Sequence, residues 1–190
     1  MLSSPGPHTC TDGRLARLLA ALTSSRWTTA RTRPAGPSAL DLPGLVCDEM
    51  SVAAIRRLPG EFAQAAALAK SFGFGGVQIH AAHGFLLSQF LSALFNRRGD
   101  AFGGSVSARS RILVDIIEST REAVGPDFPV AVKLNATDGL EAGLTEAESM
   151  VVVNRLGSTS LDLIDISGGT YFPGAKSASD RAGRGPYFLE

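Results

Sequence analysis

Three short apolar runs, at residues 77–80, 129–135 and 161–167, are separated by stretches with helical spacing, and this alternation limits the chain more than any other feature. Gly76-Val77-Gln78-Ile79-His80, Pro129-Val130-Ala131-Val132-Lys133-Leu134-Asn135 and Leu161-Asp162-Leu163-Ile164-Asp165-Ile166-Ser167 each read as a buried strand. Between the first two, Ile112, Leu113, Ile116, Ile117 and Val124 recur at the period of one helix face, with Ser105 or Ser107 as a start and Gly125-Pro126 as a stop. Between the last two, Thr145 and Glu148 have the spacing of a capping box, and Gly157 closes the helix. Strands joined by helical crossovers pair in parallel, so the expected class is an α/β sheet covered by helices. Upstream, Ser51 caps a helix carrying Ile55, Phe62, Ala65, Ala66 and Ala69, in which Pro59 and Gly60 predict a late start or a kink.

Alternation along the strands then sorts the side chains. With Val77, Ile79, Val130, Val132, Leu134, Ile164 and Ile166 facing the helices, Gln78, His80, Lys133, Asn135, Asp165 and Ser167 must face the other way. This polar set lies towards the C-terminal ends of parallel strands, where barrel enzymes place their chemistry. His80 and His83, three residues apart, could grip one oxygen atom of a ligand. No further His or Cys lies near enough in sequence to complete a zinc site, so no metal is expected. Lys133 and Asp165 are placed to form an ion pair across neighbouring strands. Ser167-Gly168-Gly169-Thr170 offers backbone that can approach a planar ligand or a phosphate. Arg97, Asp100, Arg109 and Arg111 read as a salt-bridged loop brace.

Composition excludes more than it selects. Eighteen basic residues balance eighteen acidic ones, which gives no reason to expect nucleic acid or an anionic membrane as partner. No apolar run has the length of a membrane span. Cys10 and Cys47 are too few for a disulfide framework, consistent with a reducing, cytoplasmic setting. Residues 1–49 read as an unrelated or disordered leader ahead of a domain at 50–190. Its basic start, with Leu15, Leu18, Leu19 and Leu22 on one side of a short helix, keeps a mitochondrial transit peptide open as the alternative.

The stretch around the histidines carries a resemblance. Phe62, Ala63, Ala65 and Ala66 precede Gly73-Phe74-Gly75-Gly76-Val77 and His80-Ala81-Ala82-His83-Gly84-Phe85-Leu86-Leu87. Gln89-Phe90-Leu91, Asn96-Arg97-Arg98-Gly99-Asp100 and Phe102-Gly103-Gly104-Ser105 follow. This ordered series closely resembles the Old Yellow Enzyme family of FMN-dependent oxidoreductases, over roughly residues 48–190.

The resemblance implies a (β/α)8 TIM barrel, a fold of about 250 residues, of which this chain is expected to represent about three central strands with their helices. It implies FMN as cofactor, NADH or NADPH as reductant and an α,β-unsaturated carbonyl as substrate. His80 and His83 then bind the substrate carbonyl, and Lys133, Ser167, Gly168 and Gly169 contact the flavin. Phe85 stands where the family commonly has the tyrosine that protonates the α-carbon. The implied activity is therefore ene-reduction weakened, or shifted towards isomerisation. A non-catalytic or unstable barrel fragment is the alternative, and open sheet edges are expected to invite pairing with a second copy.

Overall fold

The computed structural model describes residues 34–42 and 45–170. Its centre is a parallel sheet of β4 (Val77–Ala81), β5 (Val130–Asn135) and β6 (Leu163–Ser167), in the order β4-β5-β6. Helix α1 (Val52–Ser71) leads into β4. Helices α2 (Leu86–Leu91), α3 (Val106–Arg109) and α4 (Arg111–Val124) connect β4 to β5, and α5 (Glu146–Leu156) connects β5 to β6. The alternation legible in the sequence is thus the alternation of the fold.

The helices cover one face of the sheet. Ile79, Ala81, Val130, Val132 and Leu134 point into a core shared with Ile55, Leu58 and Ala66 of α1 and with Ile112, Leu113, Ile116 and Ile117 of α4. Fully burying each of the Val, Leu and Ile side chains among them stabilises the fold by roughly 1.5–3 kcal/mol. Ser51 caps α1 by accepting a hydrogen bond from Ala54 N at 3.1 Å. At α5, Thr145 Oγ1 accepts from Glu148 N at 3.2 Å and Glu148 Oε2 accepts from Thr145 N at 3.3 Å, completing the capping box. On β6, Ile164 and Ile166 share the helix-facing side with Val132 and Leu134 by register, but Ile166 is 45% exposed.

Two expectations need correction. Helix α1 starts at Val52 and continues through Pro59 and Gly60, so the late start expected there is not found. Proline costs a helix interior roughly 3 kcal/mol. Buried Ile55 and Leu58 before it and Ala66 after it dock in one core, and that packing outweighs the local loss. The segment expected to be an unrelated leader also carries structure in its last part. Strands β1 (Ala35–Gly36), β2 (Leu40–Leu42) and β3 (Leu45–Glu49) form a small sheet in the order β1-β3-β2. Leu40 and Cys47 bury against Phe95, with Leu94 and Leu140 packed around them. Residues 1–33, with the expected basic helix, lie outside the described residues.

The small sheet is fastened to the loop between α2 and α3 by Arg98, which is only 7% exposed. Its Nη1 donates to Pro37 O and Met50 O, each at 2.7 Å, and lies 3.3 Å from Glu49 Oε1. Its Nε and Nη2 grip the Asp100 carboxylate, which holds that carboxyl below its usual range. The expected loop brace therefore exists, but Arg98 carries it. Arg97 is exposed, and its side chain reaches Leu94 O at 3.1 Å. Arg109 is a second buried brace, bonded to Leu91 O, Gly104 O and Glu148.

Candidate functional site

Parallel register fixes which polar side chains meet. His80 is the cross-strand partner of Lys133, and Lys133 is the partner of Asp165. All three occupy the face opposite the helix core, as a row across β4, β5 and β6. Asn135 and Ser167 form a second row nearer the strand ends. Lys133 Nζ lies 2.8 Å from Asp165 Oδ2, and Gln78 Nε2 donates to the same oxygen at 3.1 Å. The hydrogen bond from Lys133 is the main cause holding the Asp165 carboxyl below the usual carboxylate range.

The histidine loop is held in a conformation that needs support. His83 has φ +62° and Gly84 φ +80°, in the left-handed region that a β-carbon disfavours. Its backbone partners supply that support. His83 N donates to Asn135 Oδ1 at 3.2 Å, Gly84 N donates to Ser88 Oγ at 3.2 Å, and Gly84 O accepts from Gln89 Nε2 at 2.7 Å. His83 also forms a parallel bridge with Thr170, closing the rim over the end of β5.

Asn135 is the knot beneath that rim. It is fully buried, and its Nδ2 donates to Gly169 O at 2.8 Å and to Asp138 Oδ1 at 3.0 Å. One side chain thus joins the loops that follow β4, β5 and β6. Gly169, at φ +79°, donates its N–H to Thr137 O at 3.1 Å, so the Gly168-Gly169 turn is anchored from both sides. The inward alternation marked Asn135 as part of the face. Its role as a brace depends on partners 52 and 34 residues away and leaves no local signal.

The two imidazoles meet edge to face, with ring centres 5.1 Å apart, and Phe85 packs against His80 at 4.7 Å. His83 Nε2 lies 2.6 Å from Ser167 Oγ, which ties the loop after β4 to the end of β6. Burial, then the nearby His83 and Lys133, push His80 down to about pH 4, against a smaller opposing pull from Asp165. Burial and Lys133 lower His83 as well. Both rings are therefore neutral near pH 7, each with one N–H to donate and one nitrogen to accept. His80 Nδ1 is buried and has no hydrogen-bond partner among the described residues. Such an atom costs free energy unless a ligand pairs with it.

The structure thus brings His80, His83, Lys133 and Ser167 to one face, with Gly168 and Gly169 at its rim and Phe85 as the apolar cover of His80. Among the described residues, no group of three or more His, Cys, Asp or Glu could hold a metal. None of their helices is long and apolar enough to cross a membrane.

A helix-backed parallel sheet with polar side chains and glycine turns gathered at its C-terminal rim is the arrangement of a piece of a (β/α) barrel. Comparison with known proteins makes this specific. The model of the NADH:flavin oxidoreductase / NADH oxidase family matches residues 29–185, so the chain belongs to that family. The match begins inside the segment expected to be an unrelated leader, in line with the strands found there.

The NADH-dependent flavin oxidoreductase iccE of Talaromyces variabilis is 46% identical over 65% of this chain and 30% of its own length. An old yellow enzyme homologue from Zymomonas mobilis superposes with a TM-score of 0.63 at 29% identity, over 74% of this chain and 43% of that one. A 2-naphthoyl-CoA reductase in complex with 2-naphthoyl-CoA superposes with a TM-score of 0.70 at 34% identity, over 73% of this chain and 22% of that one. The chain spans about 30% of the length of two curated relatives that it matches, the iccE oxidoreductase among them.

Proposed function

We propose that this chain carries the central ligand face of an FMN-dependent NAD(P)H oxidoreductase of the ene-reductase type. The observation behind this reading is the register that sets His80 and Lys133 side by side on the face away from the helix core. Bound FMN, reduced by NADH or NADPH, supplies hydride for the β-carbon of an α,β-unsaturated carbonyl.

The residues present suit that group. Lys133 brings a cation to the face, and Ser167, Gly168 and Gly169 supply a small, close-approaching rim. His80 Nδ1 is a buried polar atom without a hydrogen-bond partner among the described residues. His80 and His83, both neutral, would hold the substrate carbonyl oxygen with N–H donors. Fixed donors at that oxygen stabilise negative charge as it develops there. The αL turn at His83 and its bond to Ser167 keep that ring in place. Phe85 has no proton to transfer, so solvent must complete the α-carbon.

The reading is tested by mixing the protein with FMN, NADPH or NADH and a cyclic enone, and following loss of reduced nicotinamide and formation of saturated ketone. Slow ketone formation that falls further in His80→Ala and His83→Ala is the expected result. Oxidation of nicotinamide without any dependence on the enone or on either histidine would contradict it.

A further inference from the structure

Asp165 stands out on the ligand face because the proposed chemistry gives it no task. It is the only carboxylate of the described residues in the row with His80 and Lys133, and two side chains from two strands converge on one of its oxygens. Lysine carries a point charge on a flexible stem, so its position on an open face depends on what holds it. Here the holder is a carboxylate at 2.8 Å, itself steadied by Gln78. A cation and an anion this close act on a third group mostly as a dipole, whose field falls off faster than that of a lone charge.

We propose that Asp165 is a positioning residue for the flavin site: it fixes the Lys133 ammonium on the ligand face and offsets its charge. The pair, rather than a free cation, then sets how strongly the site favours the reduced over the oxidised cofactor. This inference rests on the FMN reading above. A purely structural clamp between strands would change stability, or the affinity for both cofactor states alike, and would leave their ratio alone.

The test is a spectroelectrochemical titration of FMN bound to the full chain. Asp165→Asn keeps the shape and the hydrogen bond from Gln78 but removes the negative charge. The ratio of reduced to oxidised FMN affinity is expected to rise about tenfold, ~30 mV for a two-electron couple. Lys133→Met should move the ratio the other way, and Asp165→Glu should restore the parent value. An unmoved ratio in Asp165→Asn, or a shift in the same direction as Lys133→Met, would overturn the inference while leaving the FMN reading intact. A parent chain that binds no FMN would overturn both.

Discussion

At the scale of single residues, the site is governed by what surrounds His80. Its ring packs against Phe85 and His83, and burial, then His83 and Lys133, disfavour a proton on it. Asp165, which pulls the other way, is paired with Lys133 at 2.8 Å. His80 should therefore titrate near pH 4, which a ring-proton NMR titration can read. The consequence for stability has a definite sign. An unfolded histidine takes up its proton near pH 6.5 and the folded one does not, so the unfolded state binds more protons between those values. The His80 contribution is fully present above about pH 6.5 and falls as pH drops towards 4. A ring that titrates at its ordinary value would remove this account of the pocket. Phe85 carries the second residue-scale prediction. Phe85→Tyr returns an acid to the position next to His80, and general acid catalysis is typically worth about 10²–10⁴-fold. Enone reduction should rise by a factor in that range, and an unchanged rate would show that protonation does not limit the reaction.

At the scale of elements, the fold depends on loops that are tied together by buried polar side chains. Arg98 is the clearest case, since it satisfies two carbonyls from the small N-terminal sheet region and pairs with Asp100. Arg98→Ala strands all of these and should cost about 3 kcal/mol in a denaturant titration. Arg97→Ala, next door and exposed, should stay within about 0.5 kcal/mol. Equal effects would mean that the brace is assigned to the wrong arginine. The sequence could not separate the two. The loop has no hydrophobic period, and neighbouring arginines differ only in which way the backbone turns them. For the same reason β1, β2 and β3 were illegible, being two, three and five residues long with no sustained alternation. The central strands and the main helices were legible because burial imposes a period on them. Helix α1 was half legible: its apolar face was visible, but the tertiary packing that overrides Pro59 was not.

At the scale of the whole molecule, the parallel order β4-β5-β6 does for the site what no local motif can. It sets side chains from three distant segments in adjacent rows, and period-two alternation decides in advance which of them share a face. That much followed from the sequence, because the apolar partners of Gln78, His80, Lys133, Asp165 and Ser167 left them only one direction to point. The bond between His83 and Ser167 did not, since it joins residues 84 apart through loop geometry. The family match supports the chemistry proposed for a face that alone leaves it open. The central claim is that this face holds a flavin through Lys133, and equilibrium titration of the purified chain with FMN, read by flavin absorbance and fluorescence, tests it directly. Saturable binding that weakens at least tenfold in Lys133→Met is the expected result, and binding that is absent, or indifferent to Lys133, would contradict the account.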